Sequence, residues 1–139
     1  MADTAMETAL AALAAALTAA TTVAVIRNAD RPEEVPAAGL VVLRDGAQAD
    51  IEESFSPLRY HIQHAAEVVV LAPDEAVRDT VLAALSAALV ADRTLAGAVE
   101  WLDLQPVSLD MADFDGAEGC RGALLPVTLH YTTLGSPAG

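Results

Sequence analysis

The chain contains no lysine, and its seven basic side chains are all arginine. Against them stand 20 Asp and Glu, for a formal net charge of −13. Sequence-reading nucleic-acid binding needs a basic footprint, so this balance argues against that class. It also argues against docking on anionic lipid, which basic clusters mediate. A single cysteine, Cys120, excludes an intramolecular disulfide and a cysteine-rich zinc site. There is one asparagine, Asn28, and only three isoleucines, against 31 alanines. Lys, Asn and Ile have AT-rich codons and Ala has GC-rich ones, so part of the alanine excess reflects coding bias. No glycine-rich phosphate loop and no G-x-S-x-G elbow occurs.

What is present describes a folded chain. Hydrophobic residues make up 54% and charged residues 19%, a globular rather than disordered balance. A length of 139 residues suits one domain, 1–139, that needs neither disulfide nor metal to fold. Residues 8–26 carry no charge, a run long enough to cross a bilayer. Its apolarity is mostly Ala and Thr, however. Met6, Leu10, Leu13 and Leu17 recur at helical spacing and form one stripe. No basic residue precedes Arg27, so the positive start of a secretory signal is missing. Asp3 and Glu7 instead favour the helix dipole. The expectation is a soluble amphipathic helix in a protein made in the cytoplasm.

The pattern predicts seven elements. A helix over 4–20 is followed by a strand over 21–28, with Val23 and Val25 on one face. Residues 28–36 read as a loop, and 39–46 as a second strand ending in a turn at Asp45-Gly46. Residues 46–57, GAQADIEESFSP, read as an acidic loop. The third strand, 59–71, puts Tyr60, Ile62, Ala66, Val68 and Val70 on one face and Arg59, His61, Gln63 and Glu67 on the other. A second helix over 74–92 has Val77, Val81, Leu82, Leu85 and Leu89 as its stripe, with Gly97 as a stop. A fourth strand surrounds Trp101 over 99–104, a long acidic loop covers 105–122, and a last strand alternates Leu125, Val127, Leu129 and Tyr131. Pro126 cannot donate to a ladder, which points to an edge or a bulge. The predicted class is α+β: a mostly antiparallel sheet of about five strands with two helices packed on it, in the order α-β-β-β-α-β-β.

Catalytic and metal chemistry finds little support. His61 and His64 are three apart on a strand, so they point to opposite faces and cannot grip one ion without a bulge. One solvated and one packed histidine is the simpler expectation. A site joining His130 to His61 would require their strands to be neighbours. Asp113-Phe114-Asp115-Gly116 fails as a calcium loop, because Gly116 at the sixth position places Met111 at the first. Cys120 has only Arg121 beside it to activate a thiol. Glu33-Glu34 and Glu52-Glu53 read as solvated acids, since burying adjacent carboxylates is costly.

What remains points to a partner. Long loops in a small domain are often functional. Two strands, GLVVLRDG and the Pro126 strand, are candidates for exposed edges that invite pairing. The segments RNADRPEEVPAAGLVVLRDG and SPLRYHIQHAAEVVVLAP, the second helix with ADRTLAG, and the closing LPVTLHYTTLGSPAG together resemble tail terminator (tail completion) proteins of long-tailed phages and phage-like gene transfer agents. The resemblance covers nearly the whole chain but supplies no residue-level motif. It implies a non-enzymatic virion protein without cofactor, assembled in the bacterial cytoplasm and located at the neck or tail end. Its partners would be itself, as a homo-hexameric ring, the tail tube protein and a head-side neck or stopper protein. DNA would pass through the lumen without specific binding, and no membrane is involved.

By region, the resemblance and the loop reading make Asp50, Ile51, Glu52, Glu53 and Phe55 candidate partner contacts, with Arg27, Arg31, Glu33 and Glu34 beside them. Ile51 and Phe55 are four apart, so a helical turn formed on docking would align them, with Phe55 as anchor and the acids selecting a basic surface. Such a loop would be mobile in the free protein. The alternative for Phe55 is to pack beneath its own loop. The alternatives for the whole chain are a small α+β ligand-binding or enzymatic domain, or another neck protein such as a connector or stopper.

Overall fold

The computed structural model describes residues 4–28, 35–109 and 121–139. The element order is α1 (Ala5–Ala20), β1 (Ala24–Arg27), β2 (Leu40–Ser54), β3 (Arg59–Ala72), α2 (Glu75–Ala91), β4 (Trp101–Leu104) and β5 (Arg121–Leu134). This is the expected α-β-β-β-α-β-β order and an α+β architecture.

Both helices start where a side chain can satisfy an orphan amide. Thr4 caps α1 by accepting from the Glu7 amide at 3.0 Å, and Asp74 caps α2 by accepting from the Val77 amide at 2.9 Å. α1 stops where Thr21, Thr22 and Val23 bring β-branched side chains into the backbone. Asp92 ends α2 and bonds forward to the Ala96 amide at 2.9 Å, which stabilises the tight turn through Leu95, Ala96 and Gly97, all at positive φ. Glycine therefore serves that turn, five residues beyond the cap, rather than stopping the helix itself.

The sheet order is β1-β2-β3-β5-β4. β1 runs parallel to β2, and the other pairings are antiparallel. One face is the core. Val41, Leu43, Ile62, Ala66, Val68, Val70, Leu125, Val127 and Leu129 meet Leu10, Leu13 and Leu17 of α1 and Val81, Leu85 and Leu89 of α2. The predicted stripes of both helices are thus the buried ones. A smaller cluster on the opposite face joins Leu40, Val42, Val69 and Leu71 to Ile26, Val35 and Leu124.

Three expectations are corrected. The Asp45-Gly46 turn does not reverse the chain, and the expected loop over 46–57 is mostly strand. β2 continues through two register shifts, between Arg44 and Ala47 and between Gln48 and Asp50, out to Ser54. The reversal comes at residues 55–58. Gly46 uses its positive φ of 67° for a bulge, and a Cβ there would lie 1.8 Å from the Ala65 carbonyl oxygen. The two segments expected at edges are also interior: the 40–43 part of β2 lies between β1 and β3, and β5 lies between β3 and β4. Pro126 is tolerated within β5 because a strand residue's N–H and C=O point the same way. Its carbonyl accepts from the Gln105 amide at 2.9 Å, so its missing donor faces the chain just past the end of β4.

Candidate functional site

β2 and β3 outlast the rest of the sheet. β1 pairs only with Leu40, Val41, Val42 and Leu43, so residues 47–54 extend beyond it, backed by β3 and, behind that, β5. This outer end holds five of the candidate contacts. Asp50 and Glu52 sit opposite Gln63 and His61, on the face that the helices leave open. Ile51 and Glu53 sit opposite Ile62 and Tyr60, on the helix side. All four are exposed. Phe55 lies in the turn and is 74% exposed, so it does not pack beneath its own segment. Leu134, 63% exposed, pairs with Arg59 at the same end. The alignment of Ile51 and Phe55 by a helical turn is replaced by strand geometry, and residues 47–54 are tied to β3 rather than loose.

A buried polar chain holds this outer end at its angle. His64 is 1% exposed. Its Nε2 is 2.6 Å from the Asp45 carbonyl oxygen, and its Nδ1 is 3.0 Å from the Tyr131 hydroxyl. A carbonyl can only accept, so Nε2 donates, and in the neutral ring Nδ1 accepts from Tyr131. Gln48 donates to the Tyr131 hydroxyl at 3.2 Å and to the Pro137 carbonyl at 2.8 Å. The chain thereby satisfies the carbonyl that the bulge frees from the ladder. Burial pushes the Tyr131 phenol above its ordinary range, against the smaller effect of Gln48.

Arg27 has a different position from the other candidates. Its guanidinium spans Glu7 at 2.7 and 3.2 Å and Asp45 at 2.8 to 3.1 Å, tying β1 to α1 and to the bulge. The hydrogen bonds from Arg27 hold the Glu7 carboxyl below the usual carboxylate range. They raise Arg27 in turn. The clamp is internal. Arg31, Glu33 and Glu34 lie outside the described residues, as do Cys120 and the stretch Asp113-Phe114-Asp115-Gly116.

The open face carries a polar array that the sequence showed only in part. His61 and His64 do point to opposite faces, one exposed and one buried. β3 and β5 are neighbours, and Gln63 pairs with His130 while His61 pairs with Thr132. The exposed His61 and the half-buried His130 are therefore diagonal neighbours. Each already has a partner: His61 lies 3.0 Å from Ser54 and 3.1 Å from Thr132, and His130 lies 2.9 Å from Asp103. Thr132 also donates to Glu100. Trp101 donates to Asp103 at 3.2 Å, beneath the Arg93 guanidinium 5.2 Å from its ring. The depression among Asp50, Glu52, His61, Gln63, Glu100 and His130 is about 190 Å³, small and acidic for a small-molecule site. Among the described residues no group of three or more His, Cys, Asp or Glu is placed to hold a metal ion. No described helix is long and apolar enough to cross a membrane. The strands of His61 and His130 are thus the neighbours that such a site would require, and the members sequence reasoning missed, Thr132, Glu100, Asp103 and Trp101, come from β5, β4 and its approach. Alternation places His130 and Thr132 on a polar face, but only the strand order brings them beside β3.

No family model matches the chain, and no curated protein does. Among solved structures, it is similar to a chain in the virion of a native gene transfer agent particle. The match has a TM-score of 0.54 and 18% identity, and covers 94% of this chain and 92% of that one. At this identity the likeness is one of fold. It extends over nearly the whole of both chains rather than a shared fragment.

Proposed function

We propose that the chain is a structural virion protein of a phage-like particle, and within it a tail terminator. Six copies form a ring on the last ring of the tail tube, end its polymerisation and present the surface on which the head-side neck protein docks. The observation that carries this reading is the end-to-end fold likeness to a chain of a gene transfer agent virion, in a sequence with 18% identity. The site supports it. The open sheet face is lined by side chains bonded to one another, and its depression is small, about 190 Å³, with Asp50, Glu52 and Glu100 in its lining. The protruding end offers Phe55, Ile51 and Leu134 to a neighbour.

Charge shapes how such a ring forms and what it lets through. Six copies carry six times −13, a formal −78. Apolar contacts must overcome that repulsion, so association strengthens as salt screens it. With seven Arg and no Lys to line it, the lumen is acidic or neutral and lets DNA pass without holding its phosphates.

Removing the gene from particle-producing cells tests the role. A terminator's loss gives tails of uncontrolled length that do not join heads. Tails of normal length on heads that leak DNA would make the protein a stopper instead, and unchanged particles would refute a virion role.

A further inference from the structure

The two borders of the sheet are not alike. At the β4 border the strand has four residues, and its outward Leu102 carbonyl already accepts from Arg93 at 3.0 Å. At the other border β1 covers the inner part of β2, and the Leu43 carbonyl accepts from the Asn28 amide at 2.7 Å. Past the bulge, nothing among the described residues continues that cover.

Ladder parity identifies which groups face outward there. The Pro126 and His130 carbonyls of β5 accept from Gln105 and Glu100, on the β4 side. Even-numbered residues of β5 therefore face β4 and odd-numbered ones face β3. Their β3 partners, including Tyr60 and Ile62, are even-numbered and face β5, which leaves odd-numbered β3 residues facing β2. On β2, Asp50, Glu52 and Ser54 pair with Gln63, His61 and Arg59 and bond inward, whereas Ile51 and Glu53 pair with Ile62 and Tyr60 and turn their N–H and C=O away from the sheet. Among the described residues no bond to those outward groups is present.

We propose that this open edge, at Ile51 and Glu53, receives an extended basic segment of a different protein as an added β-strand. Main-chain pairing supplies the affinity, and side chains select the partner. A strand laid along this edge places alternate side chains beside Asp50 and Glu52 on the open face, and the others beside Ile51 and Glu53 on the helix side. The fitting segment alternates Arg or Lys with Val or Thr. A second copy of this chain is a poor occupant. Its opposite border presents Glu100 and Asp103 beside Trp101, which sets carboxylates against carboxylates, and like charges across a strand pair are unfavourable. The inference concerns one subunit and goes beyond ring formation, so either can fail without the other.

The test titrates the intact protein, at about 0.15 M salt, with an end-capped peptide roughly eight residues long that alternates Arg with Val or Thr. Amide exchange is followed by NMR. Saturable binding is expected, with exchange at Ile51 and Glu53 slowed about tenfold or more. The same peptide N-methylated on its edge-facing amides keeps its charge and is expected to lose binding, as is a peptide with Glu in place of Arg. Glu53→Pro removes an outward N–H and no ladder bond, and should weaken binding about tenfold or more, whereas Glu53→Gln stays within about threefold. The N-methylated peptide decides alone if Glu53→Pro does not fold. Three outcomes overturn the proposal: no binding, equal binding of the N-methylated or acidic peptide, or self-association of the protein that Glu53→Pro abolishes.

Discussion

The two halves of β2 follow opposite rules within one strand. The inner half, Leu40 to Leu43, is flanked by β1 and β3 and fully buried. Its Leu-Val-Val-Leu run reads from sequence as a strand. The outer half is exposed, lined with Ala, Gln, Asp and Glu, and has β3 on one side only. Its strand form comes from its neighbour. β3 has the strong alternating pattern and imposes pairing on a segment whose own preference is weak. The difference teaches where to look for function: the inner half is replaceable only at a cost in stability, while the outer half is available for contact.

Substitutions should separate these halves, and the largest effect belongs to the buried one. Leu43→Ala is expected to cost about 2–5 kcal/mol of unfolding free energy in urea titration. Gly46→Ala, at the junction, should cost on the order of 2–4 kcal/mol, because a Cβ meets the Ala65 carbonyl at 1.8 Å and φ is positive. Its signature is loss of the bulge, seen as faster amide exchange across residues 47–54 than across the inner half. A Gly46→Ala variant as stable as the parent would mean that the bulge is not required.

Tyr131→Phe removes the hydroxyl that donates to His64 and should cost about 1–3 kcal/mol, concentrated at the outer end. Glu7→Gln weakens the Arg27 clamp at the junction and should cost under about 1 kcal/mol at pH 7, since the pair is partly solvated. The pH dependence has a definite sign. Glu7 titrates lower in the folded state than in the unfolded, so its contribution is present above the ordinary carboxylate range of about 4.3 and is lost as pH falls below it. Parent and Glu7→Gln stabilities should therefore converge on acidification. The smallest effect on stability is expected from Ile51→Ser with Phe55→Ser, within about 0.5 kcal/mol, since both side chains are exposed. Tails built with that double variant should lose length control or fail to join heads. If it unfolds instead, the outer end belongs to the core.

Legibility in the sequence followed the same division. Leu10, Leu13 and Leu17, and Val81, Leu85 and Leu89, revealed both helices because each buries one stripe. The faces of β3 were legible by alternation, including the buried His64 and the exposed His61. Asp45-Gly46 misled because a positive φ serves a bulge as well as a turn, and no local signal distinguishes the two. Pro126 misled because an interior strand can hold a proline where only its carbonyl is used, here by the Gln105 amide. The parallel pairing of β1 with β2, and the meeting of His61 with His130 and Thr132, are long-range facts that local periodicity does not encode. The candidates at residues 50–55 were found through composition, and they stand together for a different reason from the one expected, a strand edge and turn rather than a loose loop.

The central claim is that this fold assembles with itself into a closed ring. Sedimentation velocity across a salt series, with images of the same samples, tests it most directly. The account predicts a species near 86 kDa, six times 14.3 kDa, that gains population as salt rises and shows six-fold rings. A chain that stays at 14.3 kDa at high concentration and high salt, and forms no rings when mixed with tail tubes, would contradict it.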